Sequence, residues 1–191
     1  MKAVKIDFDN TYDFDAISSN LKIGTFRTEL ADGTDVPLRV EIATEPHRLL
    51  PYVYNLAFGP LNENGEIDDK IQLKHKDYSK VFSTIIINAL SYLTENPTHS
   101  LGIDGSDIRR AIMYYRFIKG NYDYLNEFFE IKGLKYYVRI SRLGKYDYDN
   151  PFDFEDVVTY PNEIFRDERM TADKLYNYFI FNKKVIEENE V

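Results

Sequence analysis

The residues best equipped for chemistry meet at one junction. Gly105-Ser106-Asp107-Ile108-Arg109-Arg110 sets a glycine and a small hydroxyl residue ahead of a helical pattern. Unbonded backbone N–H groups and the positive end of a helix dipole at such a place attract an anion. Arg109 and Arg110 stand in the first turn, where acids are usual, so their charge opposes the dipole unless an anion compensates. A ligand phosphate or carboxylate is one compensator. The other reading needs no ligand: Ser106 caps the helix, Gly105 allows the turn, and the arginines pair with Asp104, Asp107 or other surface acids. Arg109 and Arg116 lie two helical turns apart and share one side, with Tyr114 and Tyr115 between them. Arginine and tyrosine on a cleft wall stack on a planar or anionic ligand, although arginine stems also simply cover a packed helix.

A second group, Lys74-His75-Lys76-Asp77, is a basic cluster ahead of the strongest helical pattern. His75 there has the range of a general base near neutral pH. Equally, this is an exposed strand end followed by a helix-capping Asp77. His47 and His99 form no recognisable pattern, and neither His-x-x-x-His nor HExxH spacing occurs. Adjacent acids such as Asp68-Asp69 and Glu187-Glu188 diverge on a regular element and read as solvated charge. The chain contains no Walker A loop, no G-x-G-x-x-G, no G-x-S-x-G and no kinase signature set. It has no Cys, which removes disulfides, thiolate metal sites, iron–sulfur clusters and a Cys nucleophile. No catalytic residue, cofactor or metal is assigned on this reading.

The elements that must position these residues follow from hydrophobic periodicity. Residues 24–30 and 36–43 alternate around Ala31-Asp32-Gly33-Thr34-Asp35, a hairpin signal. The run 52–58 is strand-like and closed by Gly59-Pro60, and Asn64-Gly65 precedes Ile71-Gln72-Leu73, which suggests another antiparallel pair. Tyr78, Val81, Phe82, Ile85, Ile86, Ala89, Leu90 and Leu93 fall on one helical stripe, opened by Asp77 and ended by Asn96-Pro97. Residues 99–104 read as an inner strand. A second helix follows with Ile108, Ala111, Ile112 and Tyr115 inward, broken at Gly120-Asn121 and resumed through Tyr122, Leu125 and Phe129 to Ile131. Lys132-Gly133 reads as a turn and 135–142 as a strand. The acidic, aromatic stretch 146–156 reads as a loop. The tail, 174–188, leans to helix, with 176–181 equally readable as strand.

This pattern predicts one α+β domain over 1–191, an antiparallel or mixed sheet with two main helices packed on it. Residues 1–50 are hairpin-rich, 52–142 form a β-β-α-β-α-β core, and 143–191 carry an acidic loop and a C-terminal element. The 191 residues hold 24 Lys plus Arg against 32 Asp plus Glu, a net charge of −8, which disfavours general nucleic-acid binding but leaves room for a local basic patch. Acids gather at 7–15, alternating with aromatics, and again at 146–156. The charged start lacks the apolar core of a signal peptide, and no apolar run approaches the roughly 18 residues of a membrane span, so a soluble cytoplasmic protein with no membrane partner is expected.

Two resemblances add to this. Asp77-Tyr78-Ser79-Lys80-Val81-Phe82-Ser83-Thr84, with Gly105-Ser106-x-x-x-Arg110-x-x-x-Tyr114 after it, resembles an uncharacterised family of small bacterial proteins of unknown function, over about ninety residues. Helix–strand–helix after an antiparallel meander is similar to the core of GNAT-type acyltransferases, whose first such helix receives a CoA pyrophosphate. That resemblance implies a transferase with His75 or a tyrosine handling protons. The family's Gln/Arg-x-x-Gly-x-Gly/Ala loop would fall on Lys74-His75-Lys76-Asp77-Tyr78-Ser79, which has no glycine. The leading expectation is a non-catalytic binding or protein-interaction domain, whose partner is a protein or a small anionic ligand. Its candidate residues are Gly105, Ser106, Arg109, Arg110, Tyr114, Tyr115 and Arg116, with Lys74, His75 and Lys76 secondary. A third reading is a partner protein that works through its acidic surface, as immunity proteins, antitoxins or nucleic-acid mimics do.

Overall fold

The Asp32-Gly33 turn is built as its residues dictate. The Asp32 carboxylate accepts from the Thr34 backbone N–H at 3.0 Å and from its hydroxyl at 2.6 Å, and Gly33 takes φ +85°. In the computed structural model, which describes residues 4–68, 71–105, 108–134, 161–170, 176 and 178–185, this turn joins β2 (Ile23–Glu29) to β3 (Asp35–His47) in antiparallel register. β1 (Phe14–Ile17) pairs with the outer side of β2, and β4 (Leu50–Gly59) returns along β3. The first half of the sheet is thus an antiparallel meander.

A helical crossover then reverses the pattern. α1 (Tyr78–Glu95) is opened by Asp77, whose side chain accepts from the Lys80 N–H, and closed at Asn96. It delivers the chain to β5 (Ser100–Asp104), which runs parallel to β4. α2 (Ile108–Gly120) and α3 (Tyr122–Phe128) lead into β6 (Phe129–Leu134); the two-residue β7 (Asn162–Glu163) and β8 (Tyr178–Lys183) complete the elements. The sheet is mixed, in the order β1-β2-β3-β4-β5-β8-β6-β7. Its helix-facing side chains, among them Phe26, Val40, Ile42, Leu56, Leu101 and Phe179, share a core with Ile85 and Leu93 of α1, Ile118 of α2 and Leu125 of α3. An α+β fold with helices packed on a mixed sheet is what the periodicity predicts.

Several local expectations are corrected. Residues 71–73 form no strand, because both edges of β4 are taken, one by β3 and the other by β5. α3 ends at Phe128, and Phe129 to Ile131 belong to β6, where Phe129 and Ile131 turn inward on alternate positions. Lys132-Gly133 is the continuation of that strand instead of a turn; a side chain at 133 would meet the Tyr176 ring at 2.2 Å. The tail forms β8 at Tyr178–Lys183, inserted between β5 and β6, so of the two readings of 176–181 the strand is the one formed and the helix is not. The expected strand at 135–142 and loop at 146–156 lie outside the described residues.

Candidate functional site

Gly105 follows directly on β5, and a Cβ there would sit 2.8 Å from the Ala111 Cα. The glycine is therefore needed for the close approach of α2 to the strand before it. Ser106 and Asp107 lie outside the described residues. The first turn of α2 holds no acid, with Arg109 exposed and Arg110 half-buried in it. Arg116 is also exposed, and Met113, between the two exposed arginines, keeps 38% of its surface in solvent. Positions 109, 113 and 116 fall on one side of a helix, so α2 presents an outward stripe of arginine, methionine, arginine.

The two tyrosines leave that stripe. Tyr114 packs edge-on against Phe58 and Phe179, with ring centroids 6.5 and 6.3 Å away. With Phe82, Ile86 and Phe117 it lines an apolar gap of about 10 Å³, room for no more than one water. Tyr115 turns the other way and donates its hydroxyl to the Glu168 carbonyl at 3.1 Å. Lys119 lies 6.0 Å over its ring and donates to the Phe165 carbonyl. Glu168 also accepts from the Tyr176 hydroxyl through its carboxylate. Burial, then the Glu168 charge, push Tyr176 up to about 12 and raise Tyr115. Of the candidate residues, the structure gathers Arg109 and Arg116 on one surface and sends Tyr114 and Tyr115 into packing.

Lys74, His75 and Lys76 tie the hairpin end to the start of α1. His75 forms an isolated bridge with Leu30, and the flanking N–H and C=O groups of Ala31, Lys74, Lys76 and Glu29 bond across it. The His75 Nδ1 lies 3.2 Å from the Thr28 hydroxyl, and its ring meets Tyr78 edge-on at 5.2 Å. Burial lowers its pKa, so the ring is neutral at pH 7. Lys76 holds the Glu29 carboxylate at 2.7 and 2.8 Å, and that hydrogen bond raises its own pKa. Asp77 is the α1 cap. The junction is a brace, with the Lys76 ammonium already engaged by Glu29.

One polar cluster gives no signal in the sequence. The hydroxyl of Tyr92, a residue 1% exposed, lies 2.8 Å from the Nδ1 of His99. The Tyr54 ring lies tilted against His99 with centroids 4.4 Å apart, and the Lys22 ammonium lies 4.9 Å over Tyr54. Lys22 also donates to the Ala43 and Thr44 carbonyls at 3.2 and 3.3 Å, which the irregular register of β3 between Ile42 and Pro46 leaves out of the ladder. Burial first, and the Lys22 charge second, hold the His99 pKa below its usual value. Tyr54, Tyr92 and His99 meet through the β4–α1–β5 crossover, and Lys22 reaches them from the turn ahead of β2. Among the described residues no group of His, Asp and Glu has the arrangement of a metal site, and no helix is long and apolar enough to cross a membrane.

The model of a family of unknown function, DUF6934, matches residues 9–152, about three quarters of the chain. The stretches that carry the resemblance to an uncharacterised family, 77–84 and 105–114, lie inside that span. Comparison with curated proteins and with solved structures finds no match, so the acyltransferase likeness stands on element order alone.

Proposed function

We propose that this chain, which belongs to the DUF6934 family of unknown function, is a non-catalytic binding domain that recognises an acidic partner through the outer face of α2. The observation that carries the reading is the exposed stripe of Arg109, Met113 and Arg116 on a protein of net charge −8. The guanidinium groups of the two arginines present planar N–H donors on one exposed face, which a carboxylate or phosphate accepts in pairs. Methionine between them adds a flexible apolar contact, a side chain suited to surfaces that accept varied partners. The partner chemistry that fits is a segment with acids flanking an apolar side chain.

The test is fluorescence anisotropy with a labelled glutamate-rich peptide at low ionic strength. Each exposed arginine contributes roughly 0.3–1 kcal/mol to such a contact, so Arg109→Ala with Arg116→Ala weakens binding about 3- to 30-fold. Added salt weakens the wild-type complex as well. Wild-type protein that ignores the peptide, or a double variant that binds it as tightly, removes α2 as the recognition face.

A further inference from the structure

We propose a second binding site: a groove between α1 and α2–α3 that receives a peptide with an aliphatic side chain and, two positions later, an aromatic one that opens a turn, as Phe8 does in this chain, where the Asn10 N–H donates to the Asp7 carbonyl at 3.1 Å. The chain's own residues 4–12 occupy it and show what fits. Their backbone is read by side chains instead of by a strand ladder. The Lys5 N–H donates to the Ser79 hydroxyl at 3.0 Å, Ile6 to the Asn121 carboxamide at 2.8 Å, Asp7 to Ser83 at 3.0 Å, Phe8 to the Tyr124 hydroxyl at 3.1 Å and Tyr12 to Thr84 at 2.8 Å. Asn121 returns the exchange by donating its amide to the Val4 carbonyl at 3.0 Å. Accepting from residue 6 while donating to residue 4, its carboxamide stands in for one rung of a strand.

Backbone N–H and C=O groups are the same in every peptide, so this row of acceptors is indifferent to most of the occupant's sequence. Specificity comes from the two anchors. Ile6 is 6% exposed and belongs to the main core cluster, and the Phe8 ring packs against Tyr124 and Phe128 at 5.3 and 5.0 Å. Lys5, Asp7 and Asp9 between and beside them face solvent. Asn121, 7% exposed with the segment in place, also donates its amide to the Phe117 carbonyl at 2.9 Å, so emptying the groove costs it the two bonds to residues 4 and 6 and favours a filled groove. The family span starts at residue 9, so Ser79, Ser83, Asn121 and Tyr124 lie within it and the two anchors do not. Residues 4–8 take part in no sheet pairing, and a segment held by side chains alone opens locally before the sheet does. A tethered occupant acts at an effective concentration in the millimolar range, so a partner peptide competes with it and the segment tunes the partner's apparent affinity.

The experiment uses the full chain and a fluorescein-labelled peptide copying residues 4–12. Ile6→Ser with Phe8→Ser removes the anchors of the resident segment, and this variant binds the labelled peptide at least about tenfold more tightly than the wild-type chain does. Adding Asn121→Ala abolishes the gain. A folded double variant that binds no better than wild type overturns the proposal. So does a double variant that fails to melt cooperatively, because the segment is then an integral part of the core. Hydrogen exchange on the wild-type chain gives a second reading: the amides of Lys5 to Phe8 exchange faster than those of α1, and exchange at the global unfolding rate refutes a replaceable occupant. A wild-type dimer formed by swapping the segment would assign the groove to a second copy of the chain and overturn the partner-peptide assignment.

Discussion

Tyr92→Phe removes one oxygen from the end of α1, and its consequence is set by pH. Among the described residues the Nδ1 of His99, at 2.8 Å, is the hydrogen-bond partner of the buried Tyr92 hydroxyl, so Tyr92 donates and a neutral His99 accepts. Burial raises the Tyr92 pKa, which keeps that proton in place. A hydrogen bond between neutral groups contributes about 0.5–1.5 kcal/mol net, and solvent reaches the half-exposed His99 ring, so the variant loses about 1 kcal/mol at pH 8. For a chain of this length that is about 2–4 °C in Tm. His99 is held below its usual 6.5 in the folded state, so its contribution is fully present above pH 6.5 and is lost as pH falls through the folded pKa. Once protonated, Nδ1 carries a proton of its own and the donation from Tyr92 ends; the hydroxyl can accept from Nδ1 only by leaving its own proton without an acceptor in a buried site, which offsets the reversed bond. The difference between wild type and Tyr92→Phe, measured by urea unfolding at pH 8 and pH 5, therefore shrinks on acidification. An equal or larger difference at pH 5 refutes the assignment of donor and acceptor.

Two further outcomes follow from the geometry. Gly105→Ala places a methyl group 2.8 Å from the Ala111 Cα and forces β5 and α2 apart, for a loss of about 1–3 kcal/mol in chemical denaturation; an unchanged midpoint would mean that the approach relaxes freely. Titration with acetyl-CoA gives no heat and no rise in Tm, because the Lys74–Lys76 junction is a brace without a glycine loop; measurable binding would restore the acyltransferase reading.

Where information is local, the sequence was enough. Asp32-Gly33 forms its hairpin through contacts within three residues, and the α1 stripe with its Asp77 cap needs no tertiary knowledge to be found. Legibility ended at strands buried on both faces. In β8, Tyr178, Phe179, Ile180 and Phe181 are all buried, two toward the helices and two toward Val53 and Leu134, so the period of two is erased and the run reads as helix or strand alike. Side chains that serve a distant segment were hidden for another reason. Ser79 and Ser83, four apart on α1, look like a solvated flank, yet they receive the backbone of Lys5 and Asp7. The Lys22, Tyr54, Tyr92 and His99 cluster is joined by topology alone. The Gly105–Arg116 stretch was visible as chemistry, but sequence spacing could not say that Tyr115 bonds Glu168 while Arg109 and Arg116 stay at the surface.

Charge reversal on α2 tests recognition most directly. Arg109→Glu with Arg116→Glu, checked for an unchanged melting transition, is titrated by anisotropy with a glutamate-rich and a lysine-rich peptide beside the wild-type chain. The wild type binds the glutamate-rich peptide, and the variant loses it and gains affinity for the lysine-rich one. Identical responses of the two proteins to both peptides would contradict recognition through α2.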